Sequence, residues 1–321
     1  MKKKKIKSLI FGISGQDGSY LSHFLINKGY DVYGTTRNSS KNNLKNLVRL
    51  GILKKVKIIK CNIIDFLGVK KLIKIIKPDE IYYLCGKSSV TQSFTNPVDS
   101  FKSNTLGLLN ILDAVKKTSK KIKVFNAVSG QFYGNRKNSV YNEKSYIDPQ
   151  SPYGVSKASS FWLTKIFREW YEIKCCSGIL FNHESPLRSD EFVTKKIIKH
   201  CQLIKKGKLK YLYLGDINIY RDWGWAPEYV KAMYLMLRQK HLKDLVIGSG
   251  KRYSLENFVY EVFRLLKISR NRLKANTKKL IRKRDIKSYR ADPKLAKKIL
   301  KWEAKTTFKQ IIYKMVNGQL Y

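Results

Sequence analysis

Tyr153 and Lys157 lie in the stretch Ser151-Pro152-Tyr153-Gly154-Val155-Ser156-Lys157, a Tyr-x-x-x-Lys that opens a run of helical character from Ala158 to Glu169. Residues four apart on a helix lie on one face, one above the other, so the phenol and the ammonium can point into one site. An ammonium nearby favours phenolate and is expected to draw the tyrosine pKa towards neutrality. That chemistry suits an acid/base for oxidation of a hydroxyl to a ketone. The same spacing also arises at a solvated helix N-terminus, so the reading depends on what else the chain carries.

The elements that would position such a pair start near the N-terminus. The apolar run Ile6 to Ile13 leads into Gly12-Ile13-Ser14-Gly15-Gln16-Asp17-Gly18, and a helical pattern follows (Tyr20, Leu21, Phe24, Leu25). A strand, a glycine turn and a helix make a dinucleotide site: glycines let the backbone approach the pyrophosphate, and the helix N-terminus offers free N–H groups. The spacing is G-x-x-G-x-x-G. Tyr30 to Thr36 reads as a second strand, followed by Arg37-Asn38-Ser39-Ser40 with no acid to hold a ribose 2′-hydroxyl. Arg37 and the hydroxyls suit a 2′-phosphate, so NADP is the expected cofactor.

The alternation continues with strands at Val56 to Cys61, Glu80 to Leu84, Val124 to Val128 and Ser177 to Phe181. Helices are expected at Phe66 to Ile76, Asn104 to Lys117 and Ser156 to Tyr171. This predicts an α/β, doubly wound parallel sheet. Beyond Phe181 the pattern turns mostly helical, at Glu191 to Lys205, Ala226 to Arg238, Leu255 to Leu266, Pro293 to Leu300 and Phe308 to Val316. The expected division is a cofactor-binding part at 1–181 to which the chain returns at about 220–248, with a smaller substrate part at 182–219 and 249–321. The basic stretch Lys278 to Lys287 reads as a surface loop.

At 321 residues and 43% hydrophobic the chain can bury a large core. No apolar run approaches the roughly 20 residues that span a bilayer, and the N-terminal apolar run is too short for a signal peptide; no membrane association and a cytoplasmic location are expected. The five cysteines are odd in number and lack metal-ligand spacing; Cys61, Cys85, Cys175 and Cys176 read as small core residues, and no metal is expected. The net charge of +43 would suit a nucleic-acid binder, but the lysines are spread along the whole chain, so no specific nucleic-acid binding is expected.

The glycine loop, the missing acid and Tyr-x-x-x-Lys together resemble the extended short-chain dehydrogenase/reductases. Five further stretches narrow the resemblance to the GDP-mannose 4,6-dehydratase family: Gly15 to Leu21; Leu180-Phe181-Asn182-His183-Glu184-Ser185-Pro186 with Phe192-Val193-Thr194; Leu212 to Gly215; Arg221-Asp222-Trp223-Gly224; and Asp292-Pro293 with Lys297 and Trp302. The likeness runs from about Lys7 to Val316. It implies that Gly12, Gly15, Gly18 and Gln16 or Asp17 cradle the cofactor pyrophosphate, that Arg37 holds a 2′-phosphate, and that Asn62-Ile63 lies beside the adenine. It further implies Ser129, Tyr153 and Lys157 at the sugar 4-hydroxyl, Asn182 at the substrate diphosphate, and Arg221 and Arg282 at its nucleotide end. The implied substrate is a GDP-sugar, and the implied assembly a homodimer or homotetramer formed through the helix carrying Tyr153 and the helix at Asn104 to Lys117. Phe161, Trp162, Ile166, Leu108, Leu109 and Leu112 are the apolar candidates for that contact.

The chain departs from the family at two places. Where the family has a catalytic Glu two residues after its Ser or Thr, this chain has Gln131, and a neutral amide is neither acid nor base near pH 7. Where the family has Gln-Ser-His, it has Lys87-Ser88-Ser89. Lys87 could serve as a base, bind a substrate oxygen or point to solvent. Oxidation at C4 survives these changes; the elimination step depends on another group. Three readings follow: a GDP-sugar 4,6-dehydratase, a relative confined to redox chemistry (4-oxidase, epimerase or ketosugar reductase), and a non-catalytic or nucleic-acid-associated binder.

Overall fold

The fold is a seven-stranded parallel sheet with helices on both faces. The strands are β1 (Lys7–Phe11), β2 (Asp31–Thr36), β3 (Lys57–Lys60), β4 (Glu80–Tyr83), β5 (Lys123–Ser129), β6 (Cys175–Leu180) and β7 (Leu245–Ile247). Their order is β7-β6-β5-β4-β1-β2-β3, every neighbouring pair parallel. The coordinates are a computed structural model that describes residues 5–40, 42–135, 140–280 and 285–321. Strands β1, β4 and β6 are buried along nearly their whole length because both sheet faces are covered. The chain turns back across the sheet between β1 and β4, which leaves a crevice at their C-terminal ends.

Helices α1 (Gln16–Asn27) and α6 (Ala226–Leu237) cover one face, through Tyr20, Leu21 and Leu25 against Val230, Met233 and Leu237. On the other lie α2 (Phe66–Ile76), α3 (Gly107–Thr118) and α4 (Pro152–Glu169), with Ile73, Ile111, Leu112 and Phe167 in a second core. A third core joins α5 (Val193–Lys205), α7 (Leu255–Leu266) and the C-terminal helix Phe308–Val316 through Ile197, Phe258 and Ile312. All five cysteines are free; Cys61, Cys175, Cys176 and Cys201 are buried, and Cys85 is partly so. Among the described residues no helix is long and apolar enough to cross a membrane.

Local chemistry sets the helix ends. Helix α4 starts at Pro152, earlier than expected, because Ser151 caps it: its hydroxyl accepts from the Gly154 N–H at 3.0 Å, and Pro152 fills the first helical position. Helix α3 is preceded by a π-helical turn at Lys102–Leu106, a local irregularity that the apolar periodicity did not reveal. Two short helices, Val90–Thr95 and Pro97–Phe101, were also not expected. The stretch read as a surface loop is not simply exposed: Leu280, Asp285, Ile286 and Lys287 line a cleft, and Ile286 is buried. Residues 281–284, Arg282 among them, lie outside the described residues.

Both sheet edges are guarded. On β3, Lys57 and Lys60 are exposed, and Lys57 pairs with Asp31 at 2.9 Å. On β7, only three residues long, the Val246 N–H donates to the Glu143 carboxylate at 2.8 Å.

Candidate active site

A cleft of ≈ 870 Å³ opens at the C-terminal ends of β1, β4 and β5. Its lining includes Gly12, Gly15, Gln16, Asp17, Gly18, Ser88, Ser129, Gln131, Tyr153, Lys157, Asn182 and Arg221, so twelve of the residues singled out from sequence share one cavity.

The glycine loop fits a pyrophosphate. Gly12 has φ +92°, a conformation that L side chains rarely adopt, and a Cβ there would press on the Leu84 and Cys85 backbone at 3.0 Å. A Cβ on Gly18 would come within 2.3 Å of the Gly12 carbonyl. The N-cap of α1 is Gly15, which offers no side chain to the first-turn N–H groups. They are left as donors for an anion. The side chains of Gln16 and Asp17 have a different task from the one expected. Gln16 donates to Asp17 at 3.0 Å and to the His183 carbonyl at 3.1 Å, and it accepts from the Ser185 hydroxyl at 2.7 Å. Asp17 meets His183 Nε2 at 2.9 Å, while His183 Nδ1 meets the Phe181 carbonyl at 2.8 Å. A carbonyl only accepts, so Nδ1 carries a proton; a carboxylate at Nε2 then favours the doubly protonated ring. Burial opposes charge at both groups, yet each stabilises the other: Asp17 lies below and His183 above its usual range. These side chains tie the loop to the 181–185 segment, and backbone N–H groups remain for the cofactor.

At the cleft floor Tyr153 is buried, beside the Ser129 side chain. Ser129 Oγ also accepts from the Gln131 N–H at 3.3 Å. The Lys157 ammonium donates to the Ala127 carbonyl at 2.8 Å and lies 5.9 Å from the centre of the Tyr153 ring. Burial pushes Lys157 down to about 8. The expectation that Lys157 draws Tyr153 towards neutrality is not met. Burial pushes the phenol up, and the pull back comes from Ser129 and Arg188, because the ammonium is turned to the backbone of β5.

Four residues named from sequence, Arg37, Asn62, Ile63 and Lys87, lie off the cleft lining. Arg37 is exposed after β2 and makes no hydrogen bond or ion pair among the described residues, which leaves its guanidinium available to a ligand. The Asn62 carboxamide oxygen accepts from the Ile64 N–H at 3.2 Å, and Ile63 is buried with its carbonyl bonded to Asn110. Lys87 is turned away: its ammonium pairs with Asp99 at 2.8 Å on the short helix Pro97–Phe101.

On the opposite wall, Arg221 donates to Asp285 at 2.8 Å and to the Tyr220 carbonyl at 2.9 Å. Its neighbour Asp222 is fully buried and accepts from the Ser249, Gly250 and Ala291 N–H groups, which pins that wall to the loop after β7. Asn182 accepts a hydrogen bond from the Tyr289 hydroxyl, and Gln131 donates to the same hydroxyl at 2.9 Å.

The sequence reading missed four residues here. Arg188 lies 3.5 Å over the Phe192 ring and 3.4 Å from Glu184, inside the cleft lining. His183 and Glu184 belong to the stretch already quoted, whose buried polar residues were a usable signal. Tyr289 gave none: it stands in an irregular segment far from its partners in sequence.

The GDP-mannose 4,6 dehydratase family model matches residues 9–315. The GDP-mannose 4,6 dehydratase of Dictyostelium discoideum is 35% identical, covering 98% of this chain and 96% of its own. The GDP-mannose 4,6-dehydratase of Vibrio cholerae serotype O1 is likewise 35% identical, over 99% of this chain and 94% of its own. Among solved structures, the dTDP-glucose 4,6-dehydratase of Bacillus anthracis in complex with NAD superposes with a TM-score of 0.85 at 20% identity, over 98% and 96% of the two chains, a likeness of fold. With a doubly wound sheet, a glycine loop at its crevice and matches over nearly its whole length, the chain belongs to the GDP-mannose 4,6-dehydratase family.

Proposed function

We propose that the protein converts a GDP-sugar, GDP-mannose or a close relative, by oxidation at C4, with NADP as its cofactor and 4,6-dehydration as the overall reaction. The observation that carries this reading is the convergence of Ser129, Tyr153 and Lys157 on one cleft floor, between the glycine loop and the wall of Asn182 and Arg221. Bound at the loop, NADP⁺ supplies hydride acceptance at C4 and its return at C6. Once its own proton has passed to solvent through the cleft, Tyr153 as phenolate takes the 4-hydroxyl proton; Ser129 orients that hydroxyl, and the Lys157 charge in the same site offsets that of the phenolate. The new ketone acidifies the neighbouring C5–H. Elimination then requires a base at C5 and an acid for the departing 6-hydroxyl. Gln131 can hold a sugar oxygen but cannot do either task. With Lys87 bonded to Asp99 and away from the cleft, we assign those protons to Tyr153, which shares the cleft floor with Ser129 and Gln131.

Incubation with NADP⁺ and GDP-mannose, followed by mass spectrometry, tests this: loss of one water supports dehydration. Gln131 favours a second reading, redox chemistry without elimination; NADPH and a ketosugar that has lost two hydrogens but no water would identify it. Absence of both products would remove the enzyme reading for GDP-mannose.

The preference for NADP over NAD rests on Arg37, which follows β2 and has no hydrogen bond or ion pair among the described residues. Arg37→Ala is expected to weaken NADP binding at least tenfold and NAD binding little, as read by fluorescence titration. Equal affinity of the unmodified protein for both cofactors would count against the assignment. The division of labour expected from sequence belongs to the same proposal: cofactor on 1–181 with 220–248, and nucleotide sugar on 182–219 with 249–321, Arg282 at the nucleotide end.

A further inference from the structure

Gln131, Tyr289 and Asn182 form one hydrogen-bonded chain from three distant segments. Gln131 Nε2 donates to the Tyr289 hydroxyl at 2.9 Å, across 158 positions in sequence, and that hydroxyl donates to Asn182 Oδ1. The phenol is buried, with its ring 5.2 Å from that of Phe181 and 5.2 Å from the Arg221 guanidinium. Burial pushes its pKa up to about 12, so it keeps its proton across the neutral range. A phenol has one proton to give. Given to Asn182, it obliges the oxygen to accept from Gln131, so the chain has a direction. Gln131 Oε1 and Asn182 Nδ2 are left over. Neither has another hydrogen bond among the described residues, and both residues line the cleft.

We propose that Tyr289 is a positioning residue that fixes this direction, so that the cleft meets an acceptor at Gln131 and a donor at Asn182, and that it matches the site to an amide at position 131. A carboxylate introduced by Gln131→Glu has no proton to offer. The phenol would then face two acceptors. Either it turns its proton to the carboxylate and Asn182 reverses, removing a donor from the cleft, or the carboxyl takes up a proton to replace the amide N–H. Removing the phenol hydroxyl abolishes the conflict. The effect of Gln131→Glu therefore depends on Tyr289, and in a stated sense: the hydroxyl makes it worse.

The ligand consequence rests on the cleft being the nucleotide-sugar site; the coupling itself does not. The test is a cycle of unmodified protein, Gln131→Glu, Tyr289→Phe and the double variant, read two ways. Thermal unfolding without ligand should show Gln131→Glu lowering the melting temperature at pH 7 by about 2 °C or more, with part of the loss recovered in the double variant. The loss should fade as pH falls towards about 4, where a protonated carboxyl donates as the amide does. The Arg221 cation, Asp285 and Tyr153 face both backgrounds alike, so they cancel in the comparison. Calorimetric titration with GDP-mannose should show about tenfold weaker binding for Gln131→Glu and a smaller loss for the double variant. Additive effects on melting, or a double variant worse than Gln131→Glu alone at pH 7, would overturn the proposal. A coupled melting cycle with no binding of GDP-mannose by the unmodified protein would uphold Tyr289's role and overturn the substrate assignment instead.

Discussion

Lys157 holds a charge where the fold resists one. Burial sets its pKa near 8 against 10.5 for a free lysine. Between those values the unfolded chain binds more protons than the folded one, so this group's contribution to stability rises with pH from about 8 to about 10.5. Below 8 the full penalty applies, roughly 3 kcal/mol. Lys157→Met should therefore raise the melting temperature at pH 7 by about 2–4 °C, an advantage that disappears near pH 10.5, while C4 oxidation falls about 10²–10⁴-fold. Thermal unfolding at both pH values, with NADPH formation followed optically, checks both halves. A melting temperature that falls at pH 7 would mean that the bond to Ala127 outweighs the buried charge. At this scale the sequence was legible where a residue's place follows from its own backbone: Gly12 and Gly18 in a tight turn, Tyr153 and Lys157 one helical turn apart. It was not legible where a side chain's direction is settled by a distant partner. Lys87 turns to Asp99, and Tyr289 finds Gln131 and Asn182, through contacts that no local pattern encodes.

Between elements, the His183–Asp17 pair joins the start of α1 to the segment after β6. His183 is raised above its usual 6.5, so its contribution is complete below that pH and is lost as pH climbs through the raised value. Asp17 is depressed below its usual 3.8, so its contribution is present above that pH and is lost as pH falls through the lowered value. The tie is strongest between the two. Asp17→Asn should cost about 1–3 kcal/mol at pH 6 and flatten the fall of melting temperature on the alkaline side of neutrality. An unchanged pH profile would show that His183 is not charged there. The helices at Phe66–Ile76, Leu255–Leu266 and Phe308–Val316 were read to the residue because each has a strong apolar face and a capping side chain. The helices at Val90–Thr95 and Pro97–Phe101 escaped notice because they are about one turn long, rich in Ser and Thr, and packed against α4.

For the whole molecule, two properties pull in opposite directions: a charge of +43 and a bare apolar stripe. Val155, Trp162 and Ile166 are exposed along α4 and Trp170 at its C-cap, and Phe94, Val98 and Phe101 are exposed on the neighbouring short helices. Leu108, Leu112 and Phe161, which the sequence offered as contact residues, are buried within the monomer instead. We propose that this stripe is the homodimer contact. Trp162→Glu with Ile166→Glu should give monomers by light scattering at micromolar concentration and make the melting temperature lower and independent of protein concentration. Like charges repel across such a contact and salt screens them, so added salt should strengthen the dimer of the unmodified protein. Binding to duplex DNA should respond in the opposite sense, weakening by about 10³–10⁵ between about 50 and about 200 mM salt. Salt-resistant, sequence-selective DNA binding would reopen the nucleic-acid reading. The lysines on β3 and the carboxylate across β7 bear on how such assemblies end. With both margins of the sheet refused to a neighbour, copies cannot add strand to strand into a ribbon of unlimited length. The proposed helix-face contact, when paired face to face by a two-fold rotation, closes on itself and gives a small closed set rather than a fibre.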